Sequence, residues 1–376
     1  MQSYDVIVIG GGIAGVSIGY ELAADRRVVL LDMESTLAFH TTGRSAATFL
    51  ESYGNAAIRS LTTASREFLE NPPDVVESQL LSPLAMLHVG TTGRGDAVRR
   101  LHSEVEVLVS DVELIDAAAV RELQPLMRAD WVELALLEPG AMEVDVHALH
   151  QGFARGLRQR KGEIAVSARI VAAESHGRIW TVTDAAGRSW TAPVVVNAAG
   201  AWADEVAALF GARRIGLRPL RRSAFMVDAP DGAITKGSPM IADIDDTFYF
   251  KPEPGQFLCS PADETLQEPG DARPDELEIA RAIEAINEAT TMGIRSVRSS
   301  WAGLRNFVVD RTPVVGYDPV IEGLFWYAAQ GGYGIQTAPA LARSGAALLR
   351  HESLPADVVA RQLIAATLAP DRPGLG

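Results

Sequence analysis

Three glycines near the start of the chain have the spacing of a dinucleotide-binding turn, Gly10-x-Gly12-x-x-Gly15. In such a turn the first glycine permits the tight bend, the second lets backbone N–H groups approach a pyrophosphate, and the third lets a helix pack against the preceding strand. The N-terminus of that helix would present free N–H groups to the phosphates. Asp32 follows about twenty residues later, where a carboxylate would accept a hydrogen bond from a ribose hydroxyl. The motif predicts a bound dinucleotide and does not choose between NAD and FAD.

Three longer segments follow the glycine turn: His40-Thr41-Thr42-Gly43-Arg44-Ser45-Ala46-Ala47, Asn197-Ala198-Ala199-Gly200-Ala201-Trp202 and Ala329-Gln330-Gly331-Gly332-Tyr333-Gly334-Ile335-Gln336-Thr337. With residues 148–152 and 301–305, they resemble the FAD-dependent D-amino-acid oxidase-like family, and within it most closely the bacterial D-arginine dehydrogenases. The resemblance runs along nearly the whole chain and implies FAD as the cofactor.

The glycine-rich turn at residues 331–334 also has a physical reason to contact a flavin. A flavin reduced by hydride transfer is anionic around N1 and C2=O, and a turn that opens a helix can aim backbone N–H groups and a positive dipole at that charge. By itself, an ordinary connection between a strand and a helix is the less favoured alternative for this turn.

The resemblance implies a set of cofactor-binding residues, with the backbone near Ile170 holding the adenine. The single cysteine, Cys259, is not placed like the cysteine that anchors flavin in sarcosine oxidase relatives, so we expect noncovalent FAD. The predicted cofactor-binding residues are Gly10, Gly12, Ile13, Ala14, Gly15, Asp32, Met33, Thr42, Gly43, Arg44, Ser45, Ala46, Ile170, Ala198, Gly200, Trp202, Gly331, Gly332, Tyr333, Gly334, Ile335, Gln336 and Thr337.

Two arginines match the family's carboxylate-binding positions, Arg222 and Arg305. A guanidinium suits this role because it presents paired N–H donors to both oxygens of a carboxylate. A structural salt bridge is the alternative for each. Tyr53 and Tyr249 match tyrosines that line the substrate pocket, although both could instead pack in the core. The carbonyl of Gly332 matches the group that receives the substrate amine.

The substrate pocket departs from the family pattern at three positions. D-arginine dehydrogenases carry a glutamate near Met86, a histidine at Thr48 and a threonine at Leu50. Loss of the glutamate removes the partner of a buried cation, while methionine and leucine offer an apolar surface. We therefore expect a preference for neutral or hydrophobic D-amino acids over cationic ones, unless Glu51 or Asp243 replaces the missing acid.

The elements that would position these residues are visible as hydrophobic patterns. Continuous apolar runs at 5–9, 28–31, 194–197 and 324–328 predict parallel strands buried on both faces. Alternating residues at 80–89 and 224–260, with loops at 228–239 and 263–275, predict half-exposed strands. A helix is predicted from Asp275 to Met292, with a packing face formed by Leu277, Ala280, Ile283 and Ile286.

These patterns predict an α/β (α+β) fold in which a Rossmann-like FAD-binding domain is interleaved with an antiparallel-sheet substrate domain. The expected FAD-binding segments are 1–79, 145–218 and 303–376. The expected substrate segments are 80–144 and 219–302.

Composition narrows the classes of partner. The 376 residues carry a formal net charge of −14, which argues against nucleic acid or an anionic membrane as the main partner. One cysteine excludes an internal disulfide and a cysteine-based zinc site, and the histidines lack metal-ligand spacing, so no metal is expected. With no signal peptide or transmembrane segment expected, a cytoplasmic location is predicted, and peripheral membrane association is left open.

The expected reaction is oxidative deamination of a D-amino acid by hydride transfer to flavin N5, giving an imino acid that hydrolyses to a 2-oxo acid and ammonia. A quinone-like acceptor or O2 would reoxidise the flavin. Two alternatives stay open: a glycine/sarcosine-type amine oxidase or 2-hydroxy-acid dehydrogenase on the same scaffold, and a flavin-binding redox module without turnover.

Overall fold

The computed structural model describes residues 2–233 and 236–375, whose strands form four sheets. A six-stranded sheet is built around the predicted apolar runs, and its strands run parallel except for the last pair. Burial on both faces explains why these strands are continuously apolar. Their order across the sheet is Glu163–Ala165, Val28–Leu31, Val6–Ile9, Val194–Asn197, Leu324–Ala328 and Val314–Tyr317.

A nine-stranded sheet forms the second large layer, and it contains the predicted half-exposed strands. All its pairs are antiparallel except Met240–Asp243 with Met86–Thr91, which run parallel. The strand order is Thr265–Leu266, Arg218–Asp228, Gln256–Ser260, Tyr249–Glu253, Met240–Asp243, Met86–Thr91, Val132–Glu138 and Glu113–Ile115, with Ser299–Phe307 also paired to Arg218–Asp228. The α/β class with two interleaved sheets is confirmed.

Two smaller sheets flank these layers. One contains Thr48–Phe49, Met142–Val144 and Leu81–Pro83, and the other contains Gln2–Ser3, Ser189–Ala192, Ile179–Asp184 and Ile170–His176. The helices of the described residues are Ile13–Leu22, Ala56–Glu70, Gly95–Val105, Ala117–Leu123, Val146–Gln159, Ala203–Leu209, Glu276–Ala289, Gly334–Leu349, Ala356–Val359 and Ala365–Leu368, with 3₁₀ turns at Thr41–Arg44 and Gly200–Trp202.

The helix Glu276–Ala289 is close to its predicted extent but buries a different face. Its buried residues are Ile279, Ala282, Ile286 and Ala289, whereas Leu277 and Ala280 are exposed. The predicted face was wrong in its first half, since Ile286 and Ile283 do pack on the apolar cluster but the buried stripe begins at Ile279.

The strand Ser299–Phe307 pairs with Arg218–Met226 without a break. The predicted domain boundary between residues 302 and 303 therefore falls inside one continuous strand. No helix in residues 2–233 or 236–375 is long and apolar enough to cross a lipid bilayer.

Candidate active site

A cavity of about 480 Å³ lies at the carboxyl ends of the parallel strands. Ile9, Leu31, Ala198 and Ala328 line it, and each ends or directly follows one of those strands. In an open α/β sheet this edge is where ligands bind, because loops and helix N-termini converge there.

The glycine turn forms one wall of the cavity in a shape that side chains would block. Gly10 has φ 111°, a left-handed conformation that favours glycine, and a Cβ there would overlap the carbonyl of Ala198. A Cβ on Gly15 would overlap the carbonyl oxygen of Gly10, so this glycine permits the close packing of helix on turn. His150 places its Nε2 2.9 Å from the Gly11 carbonyl oxygen.

Asp32 lines the cavity and also holds the turn. Its carboxylate accepts hydrogen bonds from the backbone N–H of Gly11 at 2.5 Å and of Glu34 at 2.8 Å. Burial raises the pKa of this carboxyl, and the two N–H donors oppose that shift. Thr42 adds a comparable contact, since its hydroxyl accepts from the N–H of Ile13 at 3.0 Å.

Most of the predicted cofactor-binding residues line this cavity. They are Gly10, Gly12, Ile13, Ala14, Asp32, Met33, Thr42, Arg44, Ser45, Ala46, Ile170, Ala198, Gly200, Trp202, Gly331, Gly332, Gly334 and Ile335.

The remaining predicted cofactor residues lie behind the cavity wall. Gly15 and Gly43 allow close backbone packing, and the Tyr333 ring packs against Phe307. The Thr337 hydroxyl donates to the Tyr333 carbonyl at 2.9 Å. Gln336 is buried against residues 50 and 62. These side chains face inward because the helix Gly334–Leu349 is buried along nearly its whole length.

Two buried polar atoms that the sequence did not single out are available to a ligand. Asn306 Oδ1 and His40 Nδ1 are buried without a hydrogen-bond partner in the described chain, and both residues line the cavity. The other nitrogen of His40 lies 2.9 Å from a Glu34 carboxylate oxygen. Buried polar atoms normally have partners, so these atoms and the glycine cradle fit a long polar cofactor such as FAD. His40 could have been predicted as a cofactor-binding residue, because it begins the segment 40–47 that carries the family resemblance.

Arg305 also lines the cavity, and its guanidinium lies against the backbone of Gly332. Its Nη1 donates to the Tyr53 hydroxyl at 2.9 Å, and it forms no ion pair with any carboxylate of the described chain. Asp246 and Glu264 interact with it only at longer range. Because a guanidinium stays charged, such a site favours an anion.

Arg222 also lines the cavity but has partners of its own. Its Nε donates to the Asp263 carbonyl at 2.9 Å, and its Nη2 lies 3.2 Å from a Glu264 carboxylate oxygen. Glu264 is shared with Arg311. Burial alone would raise the pKa of Glu264, but the hydrogen bond and charge of Arg311, together with the charge of Arg222, lower it, so this residue stays ionised and compensates Arg222.

The residues at the departures from the family pattern form an apolar layer beside the cavity. Met86 and Leu50 are buried in one cluster with Tyr249 and Ala224, two residues that line the cavity. Thr48 is half-buried on the strand paired with Glu143.

Neither predicted replacement acid is free for a substrate. Glu51 pairs with Arg66, whose Nε lies 3.0 Å from its carboxylate. Asp243 accepts from the Thr247 hydroxyl at 2.6 Å. Cys259 is buried in the core of the nine-stranded sheet, away from the cavity lining, and burial raises the pKa of its thiol.

The geometry agrees with comparisons to known proteins. The chain matches the family described as FAD dependent oxidoreductase over residues 5–348. It belongs to that family. Its cofactor is FAD.

Individual relatives of this FAD-dependent oxidoreductase are distant. FAD-dependent oxidoreductase domain-containing protein 1 from Bos taurus is 24% identical over 92% of this chain and 81% of its own length. Glycerol-3-phosphate dehydrogenase 1 from Mycobacterium tuberculosis (strain ATCC 25618 / H37Rv) is 29% identical over 81% of this chain, which spans 63% of that protein. Glycine oxidase from Geobacillus kaustophilus has the same fold, with a TM-score of 0.82 at 20% identity over 94% of this chain and 96% of its own. These comparisons support the family and do not single out D-arginine dehydrogenases within it.

Proposed function

We propose that this FAD-dependent oxidoreductase oxidises D-amino acids with neutral or hydrophobic side chains. The product would be an imino acid, which water hydrolyses to a 2-oxo acid and ammonia. The single observation that carries the proposal is Arg305, which has no ion-pair partner among residues 2–233 and 236–375 and lines the cavity beside an apolar cluster. An amino acid that binds with its amine neutral, having left the ammonium proton in solvent, supplies the complementary carboxylate.

Carboxylate binding falls to Arg305 and Tyr53 in this proposal. The guanidinium donates to one or both carboxylate oxygens, and the Tyr53 hydroxyl, now an acceptor from Arg305, keeps its own proton available for donation. The Gly332 backbone lies against the Arg305 guanidinium, since a Cβ there would sit 2.9 Å from Cζ. Its carbonyl is thus our candidate acceptor for the substrate amine.

FAD supplies the two-electron oxidation of the substrate Cα–H bond. No side chain at the cavity needs to act as a strong base, because an amine that binds neutral can lose hydride without prior proton abstraction. The tasks of the protein are to hold the carboxylate and exclude water from the Cα–H bond.

The substrate side chain would point toward Met86, Leu50 and Tyr249. These residues present an apolar surface, and Glu51 and Asp243 are engaged elsewhere. A cationic side chain would be buried there without a partner, which disfavours D-arginine and D-lysine.

A second candidate is oxidation of glycine or an N-methylated glycine. The observation that favours it is the likeness in fold to glycine oxidase, together with a carboxylate site that makes no use of a substrate side chain. A 2-hydroxy acid would occupy the same carboxylate site.

Anaerobic mixing of the purified holoenzyme with both enantiomers of the amino acids, sarcosine and 2-hydroxy acids separates these functions. We expect D-leucine and D-methionine to bleach the flavin absorbance, with D-arginine slower. Bleaching by sarcosine alone would favour the second candidate. A flavin that none of these compounds reduces would instead indicate a redox module without turnover. Reoxidation of the reduced enzyme by O2 and by a soluble quinone, compared side by side, tests the acceptor.

A further inference from the structure

The segment of residues 50–53 connects the strand Thr48–Phe49 to the helix Ala56–Glu70 and is held by two buried polar side chains. Gln336 accepts from the Leu50 N–H at 3.3 Å and donates to its carbonyl at 3.2 Å. Glu138, on the nine-stranded sheet, accepts from the N–H of Glu51 at 2.8 Å and of Ser52 at 3.4 Å. The Ser52 hydroxyl donates to the other oxygen of Glu138.

Glu138 is unusual among the acids of this chain because it is 0% exposed and forms no ion pair within the described residues. The titratable groups facing it are Glu51, which is paired with Arg66, and His88, whose Nε2 lies 3.5 Å from the Ser52 hydroxyl. Burial lowers the pKa of His88 to about 4, so this ring is neutral near pH 7. A carboxylate placed here is costly, and the hydrogen bonds to residues 51 and 52 are its compensation.

The segment that Glu138 holds ends at the substrate site. Tyr53 follows Ser52 directly, packs its ring 4.9 Å from that of Tyr333 and accepts the hydrogen bond from Arg305. Glu138 lies opposite Met86 in the antiparallel strand pair, yet its carboxylate is directed at the backbone of the segment and does not line the cavity.

We infer that Glu138 is a positioning residue: its carboxylate anchors residues 51–52 and thereby sets the Tyr53 hydroxyl against Arg305 for carboxylate binding. The inference rests on the proposed function, in which Arg305 and Tyr53 bind the substrate carboxylate. It assigns no contact between Glu138 and the substrate.

A double-mutant cycle on the holoenzyme tests this inference, with benzoate as a carboxylate probe that cannot be oxidised. Its dissociation constant is read from the flavin absorbance of wild type, Glu138→Ala, Tyr53→Phe and the double variant. We expect Glu138→Ala to weaken benzoate binding about tenfold in the wild-type background and hardly at all in the Tyr53→Phe background. Glu138→Gln, which keeps one acceptor oxygen, should restore most of the affinity.

Asp318 provides the matched control. Its carboxylate also accepts three hydrogen bonds, from the N–H of Val320 and Ile321 and from the Trp326 indole, but it lies at the far end of a cavity-forming strand. Asp318→Ala should lower the thermal unfolding midpoint and leave the benzoate dissociation constant unchanged. Amide hydrogen exchange tests the anchoring directly. Glu138→Ala should speed exchange of the Glu51 and Ser52 amides, because it removes their acceptor.

Several results would overturn the inference. Equal losses of benzoate affinity in both backgrounds would mean that Glu138 does not act through Tyr53, and unchanged amide exchange would mean that it does not anchor the segment. If Glu138→Gln selectively abolished oxidation of D-arginine, Glu138 would be a substrate-binding acid. A wild type that binds benzoate but oxidises no D-amino acid would overturn the proposed function alone.

Discussion

The two ends of the cavity are built from different parts of the chain. At the cofactor end the wall is largely backbone, formed by the glycine turn and the turn at residues 331–334. At the substrate end it is formed by long side chains, above all Arg305, Arg222 and Tyr249. Backbone can approach a ligand only where side chains are absent, so the cofactor end is encoded by glycine spacing. At the substrate end, the side chains left to bind a ligand are those whose charges have no partner within the described chain.

The largest effect is expected at the cofactor end. A methyl group at Gly15 would overlap the Gly10 carbonyl, so Gly15→Ala should displace the turn and raise the FAD dissociation constant by about 100-fold or more. Flavin content and FAD titration measure this. Gly19→Ala, in the same helix, is the control, because its Cβ would sit 3.4 Å from Leu157 and should preserve FAD binding. Equal flavin loss in both variants would contradict a backbone cradle.

The next largest effect compares the two arginines. Arg305→Met should lower kcat/KM for D-leucine by roughly 100-fold or more, since removing one partner of a buried charge pair costs about 2–5 kcal/mol. Arg222→Met should lower kcat/KM for D-leucine by only about tenfold, because Glu264 already compensates the charge of Arg222. Steady-state kinetics with FAD-saturated enzyme decide the order. A larger loss for Arg222→Met would reverse the assignment.

The buried acid at the substrate end predicts a pH dependence of stability. Burial raises the pKa of Glu138 from 4.5 to about 7, which its hydrogen-bond donors only partly oppose. Because the folded pKa lies above the unfolded one, its contribution to stability is complete below pH 4.5 and is lost as the pH rises to about 7. The loss should be about 3 kcal/mol.

Urea unfolding of wild type and Glu138→Gln at pH 5 and pH 8 measures this dependence. The variant lacks the titrating group, so its stability relative to wild type should increase at the higher pH. If the difference in the free energy of unfolding between the two proteins were the same at both pH values, the raised pKa of Glu138 would be contradicted.

The smallest effect concerns specificity. Met86→Glu would place an acid in the apolar cluster and should raise the ratio of kcat/KM for D-arginine to that for D-leucine by about tenfold. Met86→Leu is the apolar control and should leave the ratio unchanged. If wild type already prefers D-arginine, the cluster does not contact the substrate side chain.

Prediction from sequence succeeded where a local pattern determines the outcome. The strands Val6–Ile9 and Val194–Asn197 follow from continuous apolar runs, and the cavity wall at Gly10 follows from glycine spacing. It failed where distant packing decides. Gln336 belongs to a cofactor-like motif yet bonds Leu50, and Glu138 has no motif because its partners lie far away in the sequence. The pairing of Arg222 with Glu264 likewise cannot be predicted from sequence, because the two residues are 42 positions apart.

The strand Ser299–Phe307 ties substrate position to cofactor position. Arg305 projects into the cavity, while the carbonyl of the next residue, Asn306, accepts a hydrogen bond from Gly331 at 2.9 Å. Adjacent residues of a strand are separated by about 3.3 Å along its axis, so in the proposed function the strand would fix the distance between the substrate carboxylate and the flavin. Under that function, a longer substrate could not be accommodated by moving its carboxylate without disturbing the Gly331 turn. The additional length would lie beside Met86. Substitutions that change substrate specificity would therefore be expected among the residues around Met86.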